Sequence, residues 1–413
     1  MSRAVLIFYC AQIALGQTVT REELADRGKA GMIDGQVLTG TLGADALAKG
    51  TAVATRGGTF LFAVQSATEP QLYVDFEPVS GKMKRVASSD LWWAVADVST
   101  GTSHAFHYII DGKKFGGSGD VPAYLPECYE VAGVPQGKLT EKRVHTSKIY
   151  DGMKSDYWVF VPAQYDPSNP AALVVWQDGE EHTRRGGRQR TLTVIENLTH
   201  QKRIPVAVYV FIQPGLIGER RMRSIQYDTP TDTYARFLRD EVLPEVAKEF
   251  PFRQDGYSHA IAGSSSGGIC AFNAAWHFPQ LFSRVMSFIG SFTSISWRRE
   301  GNEGGHVYPF LIRRDPKRNI RVWLSDGSED LENQFGSWPL QNLQMANSLK
   351  RQGYDFTLSW SSGSHNGAHR DAELPRTLEW IWRGYDPAKT EETFVQDPAE
   401  KDRPFFRVKP YGR

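Results

Sequence analysis

The sequence of 413 residues is long enough for two domains, and its 40% of hydrophobic residues suffices for sizeable cores. Its 48 basic and 47 acidic residues leave a formal charge of +1, so no overall field favours binding to nucleic acid or to an anionic membrane. We therefore expect an ordinary globular protein that has neither of these partners, and composition leaves its oligomeric state open.

The first 16 residues have the pattern of a signal peptide. Arg3 precedes an apolar run over residues 4–15, which is too short to span a bilayer as an anchor. We expect residues 1–16 to direct export, so that the mature protein is secreted or periplasmic. Export would leave Cys128 and Cys270 as its cysteines, and their spacing leaves open whether they form a disulfide.

The region from residue 35 to residue 135 has the pattern of an all-β domain. Its short strand-like runs are separated by turn-forming residues, which predicts a β-sandwich. Trp92 and Trp93 lie in one of these runs. If exposed they could stack on sugar rings, although paired aromatic residues in a strand more often pack in a core. The predicted strands span residues 59–66, 71–76, 91–98 and 103–110.

A second domain is predicted over residues 140–385, after a linker in the stretch 116–142 where glycine and proline accumulate. Apolar strand patterns there alternate with amphipathic helix patterns, which predicts a doubly wound, mostly parallel α/β sheet. Residues 386–413 form a proline-rich, charged extension for which we expect an extended strap. The strands are predicted at 156–161, 172–176, 205–212, 257–262, 284–289, 320–324 and 355–360, and helices at 231–249, 340–351 and 374–382.

The stretch Ala262-Gly263-Ser264-Ser265-Ser266-Gly267-Gly268 indicates a serine nucleophile at Ser265. A buried strand is predicted directly before it and a helix directly after it, which is the context in which Gly-x-Ser-x-Gly forms a nucleophile elbow. The flanking glycines permit a strained turn and close packing of the helix on the strand. A glycine-serine turn without chemistry is the alternative, and the residues downstream favour the nucleophile.

Carboxylates and then a histidine follow later strands, in the chain order that a serine elbow on such a sheet requires. Asp326, Glu329 and Asp330 come after the strand at 320–324, and His365 comes after the last strand. The imidazole would accept the proton of the serine hydroxyl, and one carboxylate would orient the ring. The residues themselves leave the choice among the three carboxylates open.

His365 and His369 form an H-x-x-x-H pair, which would be typical of metal binding if it lay on a helix. Gly363 and Gly367 favour a loop instead, and no glutamate follows the first histidine. We therefore expect no bound metal and no other cofactor.

Several pieces of the second domain resemble one esterase family. The family joins enterochelin esterases, the esterase D group, and the feruloyl and acetyl-xylan esterases of carbohydrate esterase family 1. The resemblance covers about residues 145–385 and implies an α/β-hydrolase fold with Ser265 as nucleophile, His365 as base and Asp330 as acid. The pieces are DYWVFVPAQYD, VVWQDGEEH, FIQPG, YARFLRDEVLPEV, IAGSSSGG, DGSED and SGSHNGAHRDAELPRTLEWIW.

The N-terminal region resembles the immunoglobulin-like early-set domains that precede such esterases, including family-48 carbohydrate-binding modules. This resemblance depends on the order of the strands, on the Trp92–Trp93 pair and on Tyr108-x-x-Asp111-Gly112. It implies a small immunoglobulin-like sandwich before the hydrolase domain.

The same family resemblance implies where the oxyanion of a tetrahedral intermediate would bind. Its donors would be the backbone N–H of Ser266 and that of Glu180, next to Gly179, in the loop after strand 172–176. Where feruloyl esterases typically have a His-Gly pair, this chain has Asp178-Gly179, which is closer to the enterochelin esterases.

Arginines cluster after two predicted strands, at the expected catalytic edge. Among them Arg184, Arg185 and Arg221 are candidates to bind an anionic substrate group, and Trp338 is a further candidate substrate contact. Solvated or ion-paired arginines are the alternative. The other members of the two clusters are Arg188, Arg190, Arg220 and Arg223.

We expect an exported serine esterase that cleaves acyl esters of carbohydrates, such as feruloyl or acetyl esters of plant polysaccharide, through an acyl-enzyme. Two alternatives remain. A siderophore esterase of the enterochelin type would place an anionic catecholate near the arginines, and a binding protein would keep a hydrolase domain without catalysis. The substrate is expected to be a small molecule or a polysaccharide.

Overall fold

The computed structural model describes residues 19–298, 301 and 303–408, so the signal peptide predicted at residues 1–16 lies outside the described part. The described chain begins with three helices, continues with two small antiparallel sheets, and then forms a large mixed sheet flanked by helices. Within this described part, no helix is long and apolar enough to cross a membrane.

The two small sheets pack against each other through one apolar core. Alternate residues of the strand Thr59–Gln65 face this core, where Phe62 meets Phe106 of the second sheet with ring centroids 5.3 Å apart. The intervening residues Leu61 and Ala63 pack against the N-terminal helices. Because both faces of the strand are covered, its sequence is a continuous apolar run. The elements are α1 (Arg21–Lys29), α2 (Gly35–Leu42), α3 (Ala44–Lys49), β1 (Thr51–Ala54), β2 (Thr59–Gln65), β3 (Gln71–Val74), β4 (Glu77–Pro78), β5 (Lys84–Arg85), β6 (Leu91–Asp97), β7 (Thr102–Ile110) and β8 (Lys113–Ala123), in sheets ordered β1-β2-β6-β5 and β4-β3-β7-β8.

Strand β8 occupies a stretch that the sequence predicted as linker. Its glycines lie where the pairing with β7 is irregular. Glycine is required at position 117, because a Cβ there would lie 2.0 Å from the carbonyl oxygen of Phe106. Trp92 and Trp93 are buried, with 8% and 4% of their surface exposed, so neither ring offers a free face to a sugar. An all-β region before the α/β sheet is confirmed, and its immunoglobulin-like nature stays a prediction.

The described chain forms a large sheet of eleven strands, in which β13, β12, β16, β17, β18 and β21 are neighbouring and parallel. The predicted doubly wound, mostly parallel sheet is therefore confirmed. The strand order is β15-β14-β11-β13-β12-β16-β17-β18-β21, and β9 and β10 pair with β11. The strands are β9 (Lys138–Leu139), β10 (Arg143–Thr146), β11 (Lys154–Val161), β12 (Ala172–Gln177), β13 (Ala207–Ile212), β14 (Leu216–Ile217), β15 (Arg220–Arg221), β16 (His259–Ser264), β17 (Arg284–Phe288), β18 (Arg321–Glu329) and β21 (Asp355–Ser364), with the separate hairpin β19 (Glu332–Asn333) and β20 (Gly336–Ser337).

Helices cover both faces of the parallel strands, which is why β12, β13 and β17 are buried along their whole length. One apolar core lies under α4 and α11, and the other lies under α6 to α8 and α10. The helices are α4 (Thr191–His200), α5 (Arg223–Tyr227), α6 (Thr233–Phe237), α7 (Leu243–Ala247), α8 (Ser266–His277), α9 (Tyr308–Arg314), α10 (Trp338–Arg351), α11 (Ala368–Trp382) and α12 (Pro398–Asp402).

The parallel strands bring three chemically important residues to one edge of the sheet. Ser265, Asp330 and His365 each directly follow the last residue of a strand, namely β16, β18 and β21. Glu329 and Ser364 are register partners, so the residues after them are neighbours. Strands β18 and β21 extend beyond their predicted ends at 324 and 360, and β21 packs against β7 and β8 of the N-terminal sheets.

The C-terminal extension packs on the main domain at its described residues. Phe394 is buried, and the guanidinium carbons of Arg284 and Arg321 lie 5.0 and 4.6 Å from its ring centroid. Asn347 accepts from the backbone N–H of Phe406 at 2.9 Å and donates to its carbonyl at 3.1 Å. These contacts fasten the extension to the α/β domain.

Candidate active site

Ser265 lies at a sharp turn between strand β16 and helix α8. Its backbone has φ 58° and ψ −124°, a conformation that costs free energy for a residue with a side chain. Ser265 N donates to Phe288 O at 2.9 Å, and Ser265 O accepts from Ser291 N at 3.1 Å, which holds the turn in place. A Cβ at Gly263 would lie 2.3 Å from Gly267 O, so glycine is required for this close approach of helix and strand.

His365 joins the Ser265 hydroxyl to the Asp330 carboxylate. His365 Nε2 lies 2.8 Å from Ser265 Oγ, and His365 Nδ1 lies 2.5 Å from Asp330 Oδ1. Because an ionised carboxylate can only accept, Nδ1–H donates to it, and Nε2 is left to accept the serine proton. The Asp330 side chain is fully buried, whereas the His365 side chain keeps 20% of its surface exposed. The structure thus brings together the three residues predicted as nucleophile, base and acid.

The three candidate carboxylates have different surroundings. Glu329 is exposed at the end of β18. Asp326 is buried and accepts from Gly327 N at 2.8 Å and from Asn342 Nδ2 at 2.7 Å. Burial opposes ionisation of Asp330, but the hydrogen bond from His365, together with the neighbouring side chain of Asp326, outweighs burial and holds the pKa of Asp330 below its ordinary value. Asp330 is therefore the carboxylate that is both ionised and in contact with the imidazole.

Trp338 and Ser291 support the nucleophile and the base. Trp338 packs edge-on against His365, with ring centroids 5.6 Å apart, and its indole N–H donates to Ser291 Oγ at 3.1 Å. Ser291 Oγ lies 3.2 Å from Ser265 Oγ. Trp338, predicted as a substrate contact, is buried beside the histidine. Sequence reasoning missed Ser291, because it follows a strand whose end carries no recognisable motif.

The segments predicted to form the oxyanion site lie next to each other. Ser266 begins helix α8, whose first N–H groups have no intrahelical partner. A Cβ at Gly179 would lie 2.5 Å from the backbone of Phe211, which explains the glycine before Glu180. Arg223 donates twice to Asp178, at 2.9 and 2.8 Å, and fixes this turn. The roles of the Ser266, Glu180 and Gly179 N–H groups stay predictions.

Most of the clustered arginines have acidic or aromatic partners. Arg185 donates to both carboxylate oxygens of Glu196, and Arg184 lies 3.3 Å from Glu180 in an exposed pair. Arg221 has no ion pair among the described residues. The other pairs are Arg188 with Asp371, Arg223 with Asp178, and the guanidinium of Arg190 over the rings of Tyr124 and Tyr129.

A cleft of about 840 Å³ lies beside the predicted oxyanion segment. It is lined by Glu180 and by the hairpin that carries Arg221. Lys154 also lines it and, like Arg221, has no ion pair within the described ranges. Two cations that form no ion pair with a described residue therefore line this cleft, at the same end of the parallel sheet as Ser265.

The N-terminal sheets hold the segment that ends in His365. Asp120 of β8 accepts from the backbone N–H of Ser364 at 2.8 Å and also from its hydroxyl. Asp75 accepts from Ser362 Oγ at 2.6 Å. The residue directly before the base is thus fixed by another part of the chain. Sequence reasoning missed these contacts, because no local pattern connects positions about 240 residues apart.

His369 lies near the start of helix α11 and does not share a site with His365. Its Nδ1 lies 3.1 Å from Thr102 Oγ1, and its Nε2 lies 3.0 Å from Ser359 Oγ. The described residues contain no group of three or more side chains suited to hold a metal ion. Cys128 and Cys270 are free and buried.

A family model described as "Putative esterase" matches residues 152–377, which is more than half of the chain. The chain belongs to this esterase family. The iron(III) enterobactin esterase of Dickeya dadantii is 30% identical over 233 residues, which cover 56% of this chain and 52% of that protein. An iron(III) enterobactin esterase of Escherichia coli (strain CFT073) is 29% identical over 157 residues, or 38% of this chain and 36% of that one. This member of the family thus spans about half or less of the length of these two relatives.

The structure is also similar to that of a solved esterase. The enterobactin esterase of Shigella flexneri, crystallised in the presence of enterobactin, superposes with a TM-score of 0.55 at 17% identity. The superposition covers 83% of this chain and 97% of that one. At this identity the similarity shows a shared fold, which is that of the α/β-hydrolase esterases.

We expect Ser265→Ala to lower kcat by about six orders of magnitude, because it removes the attacking oxygen. His365→Ala should cost nearly as much, and the double variant hardly more, because the two residues act as a unit. Steady-state kinetics on a small aryl ester measure all three. Either about a tenth of wild-type turnover in Ser265→Ala, or additive losses in the double variant, would contradict the assignment.

We expect Asp330→Asn to lower kcat by about four orders of magnitude, because an amide in this position no longer favours the productive tautomer of His365. Glu329→Gln is the matched control, and since this side chain is exposed we expect a loss of less than about tenfold. The same kinetic assay compares the two variants. A larger loss in Glu329→Gln would show that the acid has been misassigned.

Asp120→Ala should lower kcat by about tenfold, because the His365 segment loses two hydrogen bonds and a 1 Å displacement of a catalytic group can cost about 100-fold. Asp90→Ala is the control, since Asp90 makes its hydrogen bond to Gln65 within the N-terminal sheets. Both variants are compared in kcat and in melting temperature. Equal kcat values for the two would show that Asp120 does not position the base.

Proposed function

We propose that this protein is a serine carboxylic ester hydrolase that works through an acyl-enzyme. The observation that carries the proposal is the continuous hydrogen-bond chain from Ser265 through His365 to Asp330, built on a strained strand-to-helix turn. Membership in the esterase family supports the same reaction. A protein that only bound its ligand would gain nothing from a serine held in an unfavourable backbone conformation.

The reaction follows from the order of these groups. Ser265 Oγ attacks the ester carbonyl carbon while its proton passes to His365 Nε2, and Asp330 stabilises the imidazolium. The imidazolium then protonates the departing alcohol oxygen as the C–O bond breaks, which leaves an acyl group on the serine. Water attacks this acyl group with His365 again as base, and the carboxylic acid leaves with Ser265 restored.

The developing oxyanion would bind at the start of helix α8. We assign its donors to the backbone N–H groups of Ser266 and Glu180, since helix N-termini favour negative charge and the two segments are adjacent. Gly267 shows how closely these two segments approach each other. A Cβ added at this glycine would lie 3.1 Å from both Asp178 Oδ2 and the Gln177 side chain.

We favour an anionic aromatic ester of the catecholate siderophore class as substrate. Arg221 and Lys154 line the cleft beside Glu180 without an ion pair in the described part of the chain, so they are available to an anionic group. Relatives in both comparisons are named as enterobactin esterases, which supports the same class.

Acyl esters of plant polysaccharide are the second candidate. The signal-peptide pattern of residues 1–16 favours them, because a polysaccharide substrate lies outside the cell. Burial of Trp92 and Trp93 removes the aromatic platform that the N-terminal region could have offered to a glycan. Turnover of a catecholate trilactone, methyl ferulate and acetylated xylan by the purified protein distinguishes the two candidates.

We expect Arg221→Gln to lower kcat/KM for an anionic catecholate ester by about fivefold, on the order of 1 kcal/mol for a partly exposed ion pair. A neutral aryl ester should be affected less than twofold, as should both esters in the matched control Arg220→Gln. The measurement is the ratio of kcat/KM for the two esters in each variant. An unchanged ratio in Arg221→Gln would exclude this arginine from substrate recognition.

A further inference from the structure

A second buried carboxyl group lies beside the acid of the triad and has no part in the reaction described above. Asp326 has 1% of its surface exposed, and its carboxyl lies close enough to that of Asp330 for Asp330 to raise its pKa. Its Oδ1 accepts from Gly327 N at 2.8 Å, and its Oδ2 faces Asn342 Nδ2 at 2.7 Å. Two buried carboxylates in contact would repel each other strongly if both were ionised.

The hydrogen bonds of Asp330 leave one of its oxygens without a donor from any other group. Oδ1 accepts both from His365 Nδ1, at 2.5 Å, and from Leu331 N, at 2.5 Å. Oδ2 is buried and has no N–H donor among the described residues. The carboxyl of Asp326 lies beside this side chain and lowers the pKa of Asp330. A buried carboxylate oxygen without a donor is costly, so a proton on Asp326 would complete the site.

Asn342 holds the Asp326 carboxyl in place. Its Nδ2 lies 2.7 Å from Asp326 Oδ2, 3.0 Å from Gly290 O and 3.1 Å from Trp338 O. A side-chain amide has two N–H groups, so Asp326 Oδ2 shares this donor with two backbone carbonyls.

We propose that Asp326 is a neutral carboxylic acid whose O–H donates to Oδ2 of Asp330, and that it positions this carboxylate for His365. Burial raises the pKa of Asp326 well above its ordinary value, and the hydrogen bond and negative charge of Asp330 raise it further. One shared proton thus keeps one acid neutral and the other ionised, as occurs in other pairs of buried carboxyl groups.

The neutral acid determines which way the triad carboxylate turns. With Oδ2 held by Asp326 and Oδ1 held by Leu331 N, the plane of the Asp330 carboxylate is fixed, and Oδ1 stays in line with His365 Nδ1. Asp326 is therefore a positioning residue, because it contacts neither the imidazole nor the nucleophile. This inference rests on the proposed function, since it concerns the geometry of the proposed triad.

The kinetic test compares Asp326→Asn with Asp326→Leu. The asparagine N–H can replace the carboxylic O–H as donor to Asp330, so we expect kcat to stay within about tenfold of the wild type. The leucine side chain has the same number and branching of heavy atoms but no donor, and we expect kcat to fall on the order of 100-fold with KM little changed. Melting temperatures of both variants separate this loss from unfolding. Equal losses in the two variants, or an unimpaired Asp326→Leu, would overturn the proposal.

An infrared measurement tests the proton itself and requires no substrate. The difference spectrum between the wild type and Asp326→Asn at pH 8 should contain the carbonyl band of a protonated carboxylic acid. A difference spectrum that contains only carboxylate bands would overturn the proposal, even if Asp326→Leu fails to fold. Absence of esterase activity in the wild type would instead contradict the proposed function, and the infrared result would still decide the state of Asp326.

Discussion

The pair of hydrogen bonds made by His365 is the interaction on which the rest of the site depends. His365 Nε2 lies 2.8 Å from Ser265 Oγ, and His365 Nδ1 lies 2.5 Å from Asp330 Oδ1. Three segments that are far apart in sequence must therefore place these side chains in direct contact. The parallel sheet meets this requirement, because each of the three residues directly follows a strand whose carboxyl end lies at the same edge. Glu329 and Ser364 are register partners, which fixes the positions of Asp330 and His365 relative to each other more precisely than two independent loops would.

Neighbouring buried side chains and the N-terminal sheets stabilise this arrangement without taking part in the reaction. Asp330 accepts from Leu331 N and lies beside Asp326, and Asp120 of the N-terminal region holds the backbone just before His365. Trp338 fills the space beside the imidazole and hydrogen-bonds Ser291 next to the nucleophile. The N-terminal region therefore does more than cover the hydrolase domain, since it contributes a hydrogen-bond acceptor to the segment that carries the base.

The nucleophile could be predicted from the sequence because an elbow is a local feature, with its glycines, strand and helix within a few residues. The choice of Asp330 over Asp326 could not be derived from the residues, because both carboxylates lie within five positions and their burial depends on α10 and on β21. Strand β8 escaped prediction because its glycines, which serve irregular pairing with β7, look like linker glycines. The ion pairs of the arginines could not be predicted either. The sequence shows the positive charges, but it does not show that Arg185 pairs with Glu196 and Arg223 with Asp178.

Covalent labelling of the native protein tests most directly whether Ser265 is an activated nucleophile. A fluorophosphonate reacts with a serine whose proton is taken by a neighbouring base, and peptide mass spectrometry locates the adduct. We expect one adduct per chain, on the peptide that contains Ser265, and none after denaturation of the protein before exposure to the reagent. An unlabelled native protein, or an adduct on another serine, would contradict this expectation.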